Sequence, residues 1–425
     1  MAYKQDTICV QAGYEPKNGE PRVVPIVQST TFAYETSQGM GDLFDLKADG
    51  FFYSRLANPT VACVEKKINE LEGGVGAMLC ASGQSATMSA ICNIVHAGQH
   101  VVCSSAVYGG TFNLLYVTLK QLGIDSTFVS PDCTEEELEA AFKPETRLVF
   151  GESVSNPSLN VLDFEKFVGA AHRHGVPCAV DNTFPTPINC RPFEYGVDIV
   201  THSTTKYMDG HACVLGGVVV DSGNFDWMAN ADKFPMLTTP DESYHGLVYA
   251  KAFGKAAYIT KARVHLMRDM GMMMSPNSAF LLNLGLETLA LRMERHNSNA
   301  LALAGALREN KNVAWVNYPA LSGDKEYEKC MKYMNGKPCG VISFGVKGGR
   351  AAAEKFMGAL KLARIVTHVA DARTCVLHPA SSTHRQMDDE QLINCGIRPE
   401  MVRFSCGIEN IEDIKRDVFD ALATL

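Results

Sequence analysis

An alternation of short β-rich runs with helical stretches, from residue 63 to about residue 220, is the feature that most restricts how this chain can fold. Segments such as Glu135–Phe142 and Phe164–His174 have helical patterns, and seven apolar runs around them are predicted as strands. Strands and helices that alternate through short connections predict a mostly parallel sheet covered on both faces. The predicted strands are Val75–Leu79, His100–Ser104, Ser126–Val129, Arg147–Ser153, Val176–Val180, Asp198–Thr201 and Gly217–Val220.

The segments before and after this region have different patterns. Residues 1–60 are rich in Pro, Gly, Thr and aromatic residues and have weak periodicity, which predicts an extended N-terminal arm. Residues 221–246 form a polar insertion that contains prolines and aromatic residues. Residues 247–310 are largely helical, and their predicted core positions are Leu281, Leu284, Leu289 and Leu291.

The C-terminal part, residues 311–425, mixes strand-like runs with helices near 350–361 and 410–424. This mixture predicts a smaller α+β domain. Its predicted strands are Val313–Asn317, Val341–Val346, Cys375–Leu377 and Met401–Ser405.

Composition excludes several classes of function. The chain has 425 residues, a formal net charge of −8 and no basic run, so nucleic acid is not an expected partner. The first twenty residues are polar and no apolar stretch is long enough to span a membrane, so we expect a soluble, cytoplasmic protein. The 14 cysteines are spread singly, which favours reduced, buried thiols. No spacing typical of a zinc site is present, and no metal is predicted.

Ligands bind beyond the carboxyl ends of the strands in open parallel sheets, so the residues that follow each predicted strand are the candidates for a site. After the first strand, Ser82, Gly83 and Gln84 lead into a helix, whose free N–H groups would suit a phosphate. A small-residue turn that packs strand against helix is an equally good interpretation. Tyr108, which precedes two glycines, would either stack on a planar ring or pack at the edge of the sheet.

Two charged residues follow later strands. Asp181 ends an apolar strand, where a carboxylate is costly unless it meets a cation such as a protonated pyridine nitrogen, although a turn or helix-cap role is an open alternative. Lys206 comes after a strand and a hydroxyl-rich turn, where burial would free its nucleophilic form; a single loop lysine is otherwise usually solvated. Together these residues would place four groups on one rim of the sheet: a phosphate site, a stacking ring, a partner for a pyridine nitrogen and an amine. This combination indicates a pyridoxal 5′-phosphate site.

Longer motifs carry a resemblance that covers essentially the whole chain. Tyr53–Thr60 (YSRLANPT), Ser82–Ala86 (SGQSA), Asp181–Thr183 (DNT) and His202–Tyr207 (HSTTKY) resemble signatures of the Cys/Met metabolism family of pyridoxal phosphate enzymes, fold type I. The resemblance implies an α/β fold with a mostly parallel seven-stranded sheet between helices. It also implies an arm over residues 1–60 that contacts a neighbouring subunit, a cofactor-binding large domain over 61–260 and a small C-terminal domain over 261–425.

The resemblance further implies a role for each matching residue. Lys206 is expected to hold the cofactor as a Schiff base and to carry protons, Asp181 to pair with the pyridine nitrogen, and Tyr108 to stack on the ring. Tyr53 and Arg55 are expected to reach the phosphate of a neighbouring subunit, within a homotetramer built as a dimer of dimers. Either Tyr108 or Tyr53 would assist proton transfer. The other expected cofactor contacts are Ser82, Gly83, Gln84, Asn156, Thr183, Ser203 and Thr205.

Substrate binding is expected at Arg403, with contributions from Asn156 and Tyr53. The planar guanidinium of Arg403 suits a carboxylate in a way that lysine does not, although the residue taken alone would more often form a surface ion pair.

The expected activity follows from segments that most resemble the sulfhydrylases of this family. They imply replacement of acetate at Cγ of O-acetyl-L-homoserine by sulfide or a thiol, which gives L-homocysteine or L-methionine. Methionine γ-lyase or cystathionine γ-synthase-type activity is the alternative, and Gly110 counts against the lyase because lyases carry cysteine there. Ala212 and Ala370 replace glycines usual in the sulfhydrylases, a change expected to affect loop packing. The segments are Leu215–Trp227, Ser243–Gly246, Gly285–His296, Trp315–Pro319 and His378–Gln386.

Overall fold

The computed structural model describes residues 3–382, 385 and 396–425. Thr383, His384 and Gln386 of the segment His378–Gln386 therefore lie outside the described residues. No helix in the described ranges is long and apolar enough to cross a membrane.

A seven-stranded sheet forms the centre of the molecule, as the sequence predicts. Its strand order is β1-β7-β6-β5-β4-β2-β3, and only β7 runs antiparallel to its neighbours. Every residue of β2 and β7 is buried, and because successive side chains point to opposite faces, both faces of the sheet are covered there. The strands are β1 Gly76–Cys80, β2 His100–Ser104, β3 Asp125–Val129, β4 Thr146–Glu152, β5 Cys178–Asp181, β6 Ile199–His202 and β7 Gly217–Asp221.

A second sheet of five strands lies in the C-terminal part. Its order is β10-β11-β12-β9-β8, mixed in direction, and most of its buried apolar side chains belong to a core separate from that of the first sheet. The sequence predicts four of these strands and misses β10, which is two residues long and exposed. The strands are β8 Val313–Asn317, β9 Val341–Val346, β10 Arg364–Ile365, β11 Cys375–Leu377 and β12 Met401–Ser405.

The helices begin and end with recognisable capping residues. Helix α3 starts with Asn58 as N-cap followed by proline and ends at Gly73 in the left-handed conformation, and α4 starts at a capping box between Ser82 and Ser85. The α-helices are α1 Gln5–Gln11, α2 Ser37–Phe44, α3 Pro59–Glu72, α4 Gly83–Cys92, α5 Gly109–Asn113, α6 Glu135–Glu139, α7 Phe164–Arg173, α8 Thr186–Asn189, α9 Pro235–Thr238, α10 Tyr249–Ala252, α11 Ala257–Lys261, α12 Arg268–Met270, α13 Pro276–Glu287, α14 Leu289–Arg308, α15 Tyr327–Met334, α16 Gly349–Ala359 and α17 Ile411–Leu422.

Two expectations about packing need correction. Of the four leucines predicted as core, only Leu289 is buried, whereas Leu281, Leu284 and Leu291 are 43%, 42% and 74% exposed. The helices turn a different stripe inward, with spacings of four, three and four residues: Leu282, Leu286, Leu289 and Met293. The N-terminal arm is not wholly extended either, since it contains α1 and α2, and α1 packs on α3, α13 and α14.

Candidate active site

A cavity of about 420 Å³ lies beyond the carboxyl ends of the parallel strands, where sheet geometry predicts a ligand site. It collects residues that follow β1, β2, β4, β5 and β6, together with part of the second sheet. Every residue predicted for the site lines this cavity except Tyr53 and Arg55. The lining residues are Ser82, Gly83, Gln84, Thr87, Tyr108, Thr111, Glu152, Val154, Asn156, Asp181, Thr183, Phe184, Ser203, Thr205, Lys206, Leu215, Thr367, His368, Val369 and Arg403.

Lys206 lies in the turn that follows β6, with its side chain largely withdrawn from solvent. Burial lowers the pKa of its amine to about 8, and the nearby Arg403 cation adds to the effect. The amine nitrogen is 3.5 Å from Nδ1 of His368. An amine with this pKa is partly neutral near pH 7.5, so it can act as a nucleophile or as a base.

The N-terminus of α4 forms one end of the cavity. As the first residues of this helix, Gly83 and Gln84 have backbone N–H groups with no partner inside the helix. A Cβ atom added at Gly83 would lie 2.7 Å from Cβ of Ser203, so glycine permits the close approach of these two segments. This end suits a phosphate group. The hydroxyl of Thr205, by contrast, is occupied: it donates to the Gly216 carbonyl at 3.1 Å and accepts from the Gly216 N–H at 3.0 Å.

Asp181 is held by hydrogen bonds at the end of β5. Its Oδ1 accepts from the Thr183 N–H at 2.9 Å and from the Thr183 hydroxyl at 2.5 Å. Burial raises the pKa of this carboxyl, because the charged form is disfavoured away from water. A cation beside the carboxyl would stabilise the charged form and would therefore be strongly favoured. The protonated nitrogen of a pyridine ring is such a cation, so Asp181 fits the predicted role.

Glu152 is a site residue that the sequence analysis missed. It ends β4, directly beside Asp181 in the register of the sheet, and its Oε1 accepts from the backbone N–H of Tyr108 at 2.5 Å. Burial, reinforced by the charge of Asp181, raises its pKa well above the usual value. The signal was present, because Glu152 ends an apolar strand just as Asp181 does.

Arg403 reaches the cavity from β12 and is only 6% exposed. Its Nη1 donates to Oδ1 of Asn156 at 3.3 Å, and its Nη2 donates to the carbonyls of Thr367 and His368, each at 3.2 Å. A buried guanidinium with only neutral hydrogen-bond acceptors favours the arrival of an anion. The segment that carries Thr367 and His368 has no regular pattern, and the sequence analysis did not identify it.

Tyr53 and Arg55 line a different cavity, of about 530 Å³. The guanidinium carbon of Arg55 lies 5.1 Å from the centre of the Tyr53 ring, and its Nη1 donates to the carbonyl of Arg268. Tyr53 is 38% exposed. Within one chain these two residues therefore take no part in the Lys206 cavity.

Three small residues bear on the sequence comparisons made above. A Cβ atom at Gly110 would lie 2.4 Å from Cε1 of Tyr108, so a cysteine there would require Tyr108 to move. Ala212 and Ala370 have φ angles of 56° and 68°, in the left-handed region that favours glycine. This backbone conformation explains why glycine is usual at these two positions in the sulfhydrylases.

Comparison with known proteins agrees with this geometry. The Cys/Met metabolism PLP-dependent enzyme family matches residues 6–423. The homocysteine/cysteine synthase of Kluyveromyces lactis is 43% identical over 99% of this chain and 97% of its own length, and O-acetyl-L-homoserine sulfhydrylase 1 of Thermus thermophilus is 44% identical over 98% and 99%. A Campylobacter jejuni protein assigned as an O-acetylhomoserine (thiol)-lyase, solved with a pyridoxyl-lysine phosphate, superposes with a TM-score of 0.95 at 33% identity, covering 99% of this chain and 100% of that one.

Proposed function

This chain belongs to the Cys/Met metabolism family of pyridoxal 5′-phosphate-dependent enzymes, and we propose that it replaces the acetyl group of O-acetyl-L-homoserine with sulfide or a thiol. The products are acetate and L-homocysteine, or L-methionine when the thiol is methanethiol. The observation that carries the proposal is the convergence of Lys206, Asp181 and Arg403 on one cavity in a chain whose full-length relatives include sulfhydrylases of this substrate.

The residues present fit the cofactor. Pyridoxal phosphate has an aldehyde, a basic ring nitrogen and a phosphate, and the cavity offers a partly neutral amine, a buried carboxyl and a helix N-terminus. We assign Lys206 to the aldehyde, Asp181 to the ring nitrogen and the Gly83 and Gln84 amides to the phosphate. Tyr108 would cover the ring. Ser82, Asn156, Thr183, Ser203 and Thr205 complete the proposed set.

When bound, the cofactor supplies an electron sink that makes the Cα and Cβ protons of the substrate acidic. Arg403 would hold the substrate carboxylate and so orient the Cα–H bond towards Lys206. Lys206 would take up and return protons at Cα and Cβ, since its lowered pKa makes the neutral amine available. Asp181 would stay ionised beside the ring cation. Tyr108 or Tyr53 would assist proton movement at the leaving group.

We further propose a homotetramer, built as a dimer of dimers in which residues 1–60 of one subunit complete the site of another. Support comes from the position of Tyr53 and Arg55 outside the Lys206 cavity of their own chain, in the wall of a second cavity where Tyr53 is 38% exposed. We also propose that the rest of the chain divides into a large cofactor-binding domain over residues 61–260 and a small domain over residues 261–425. A cytoplasmic location is proposed from the free thiols of the described cysteines.

The substrate can be tested with the purified holoenzyme and mass spectrometry. With O-acetyl-L-homoserine and sulfide we expect equimolar acetate and homocysteine, and little 2-oxobutyrate when sulfide is omitted. Rapid formation of 2-oxobutyrate without sulfide would show a γ-lyase instead. Cystathionine formed from added cysteine faster than homocysteine forms from sulfide would show a γ-synthase. O-succinylhomoserine in parallel reactions tests the choice of leaving group.

A further inference from the structure

Lys206, His368 and Asp371 lie in a row at the edge of the cavity. Nζ of Lys206 is 3.5 Å from Nδ1 of His368, and the other ring nitrogen, Nε2, is 3.8 Å from Oδ2 of Asp371. Nε2 is buried and has no hydrogen-bond partner within the described residues. The imidazole therefore connects the amine proposed to move protons with a carboxylate that is itself 6% exposed.

The backbone that carries the imidazole and the carboxylate of Asp371 are both held in place by other groups. The backbone carbonyl of His368 accepts from Nη2 of Arg403 at 3.2 Å, which fixes the segment that carries the ring. Oδ1 of Asp371 accepts from the backbone N–H of Arg373 at 2.6 Å, and Oδ2 lies 3.3 Å from the Arg373 guanidinium. The surroundings of the His368 ring are therefore fixed, and the ring needs only a small movement to hydrogen-bond with Lys206 at one nitrogen and with Asp371 at the other.

The donors and acceptors in this row define one tautomer. A lysine ammonium has donors only, so Nδ1 of His368 must be the acceptor and the ring hydrogen must lie on Nε2, facing Asp371. Burial and the Lys206 charge hold the pKa of His368 below its usual value, so the ring is neutral at neutral pH. Asp371 and Asp209 oppose this effect, and Arg403 adds to it. A neutral ring with a free Nδ1 lone pair can accept a proton.

We propose that His368 is a catalytic proton acceptor for Lys206, and that Asp371 positions and stabilises it. In this step an N–H bond of the Lys206 ammonium breaks and an N–H bond forms at Nδ1, while the Nε2 hydrogen bonds to Asp371. The total charge is unchanged, and the proton later returns to Lys206 or leaves to water. The inference rests on the proposed function, in which Lys206 acts at both Cα and Cβ: a Lys206 ammonium that has not returned its proton to the substrate regains its neutral form by passing that proton to His368.

Deuterium exchange into L-norvaline, an amino acid without a leaving group at Cγ, tests this role in the holoenzyme. Exchange at Cα and Cβ in D₂O is followed by NMR for the wild type, His368→Ala, His368→Asn and Asp371→Asn. The control is His174→Gln, which alters a residue that directly follows α7, contacts Glu139 and lies outside the cavity. We expect exchange at Cβ to slow by about 10²-fold in both His368 variants, the lower end of the range for general acid–base groups. Added imidazole should restore part of the rate in His368→Ala.

A second readout does not depend on turnover. The pKa of His368 can be followed by NMR in holoenzyme with labelled histidine, and Asp371→Asn should lower it, because the carboxylate that stabilises the imidazolium is lost. Cβ exchange within twofold of wild type in His368→Asn, or no imidazole rescue of a folded, cofactor-loaded His368→Ala, would overturn the proposal. An unchanged pKa in Asp371→Asn would remove Asp371 from the relay. None of these results depends on acetate or sulfide, so they are separate from the outcome of the substrate test.

Discussion

Glu152 and Asp181 are neighbours across two parallel strands, and both carboxyl groups line the Lys206 cavity. Burial raises the pKa of each, and the charge of Asp181 raises that of Glu152 further. Because two like charges so close together oppose each other, ionisation of Asp181 beside a cation disfavours ionisation of Glu152, whose pKa is raised well above its usual value. Oε1 of Glu152 accepts the backbone N–H of Tyr108, and so it holds the backbone of the residue whose ring is proposed to cover the cofactor.

Glu152→Gln, which mimics the protonated acid, should raise stability at alkaline pH. A carboxyl whose pKa is raised on folding stabilises the protein below its unfolded pKa of about 4.5, and this contribution is lost as pH rises through the folded value. The Gln side chain of the variant does not ionise, so the variant does not lose stability in this way. We expect its Tm at pH 8 to exceed that of the wild type by at least about 2 °C, the shift that about 1 kcal/mol produces in a large domain, and the difference to shrink towards pH 5. Glu309→Gln, at a side chain that is 80% exposed, is the control. Parallel Tm curves for wild type and Glu152→Gln would contradict the assignment.

Lys206 gives a prediction about the pH dependence of cofactor capture. Because only the neutral amine attacks an aldehyde, the rate at which cofactor-free enzyme binds pyridoxal phosphate covalently should rise with pH and level off above about 8, the pKa of Lys206. Stopped-flow absorbance measures this rate.

Borohydride reduction of the holoenzyme should then fix the label on Lys206 alone, and Lys206→Ala should reduce turnover by at least about 10³-fold with the fold intact. A label on another lysine would refute the assignment.

Local patterns in the sequence predicted much of this site. Ser82, Asp181 and Lys206 each follow an apolar strand, and parallel strands bring their carboxyl ends to one edge whatever the details of packing. Strand bounds were also predicted to within two residues, because the strands are built around short apolar runs such as Val101–Cys103 in β2 and Leu148–Phe150 in β4. These features depend on the order of strands and site residues along the sequence, and not on contacts between distant segments.

The remaining features depend on packing between distant segments. His368 lies on an irregular segment that is held near Lys206 by a bond from Arg403 of β12 to its carbonyl, and no local pattern marks it. The leucines of α13 and α14 offer two possible stripes, and packing of α13 against α3 and α1 determines that Leu282 and Leu286 are buried while Leu281 and Leu284 are exposed.

Mixing inactive subunits tests whether the site is shared. If Tyr53 and Arg55 serve a neighbour, Arg55→Ala and Lys206→Ala chains should each be inactive alone, and hybrids should recover activity at sites that combine an intact Lys206 with an intact Arg55. For freely mixed equal amounts we expect up to about one quarter of wild-type activity, if subunits associate at random into paired sites. Native mass spectrometry must confirm the hybrids. Verified hybrids without activity would show that each chain completes its own site.

Substitution of Arg403 tests how the substrate is held. Its guanidinium is buried and lies in the cavity wall near Lys206, and among the described residues it bonds only to Asn156 and to the carbonyls of Thr367 and His368. A carboxylate held there would pair with the charge and fix the Cα–H bond relative to the base. Removing one partner of such a pair costs about 2–5 kcal/mol, so kcat/KM of Arg403→Ala for O-acetyl-L-homoserine should fall by about 30-fold to several thousand-fold.

Two further variants separate the loss of charge from the loss of geometry. Arg403→Lys should recover little of kcat/KM, because an ammonium cannot make the two parallel hydrogen bonds of the guanidinium fork. Arg308→Ala, at an exposed arginine that ends α14 and bonds to the Ser322 carbonyl, should leave kcat/KM within twofold of wild type. Cofactor absorbance should stay close to that of the wild type in all three variants, since Arg403 is assigned to the substrate and not to the cofactor. Near-normal kcat/KM in Arg403→Ala would place the carboxylate elsewhere and remove β12 from the substrate site.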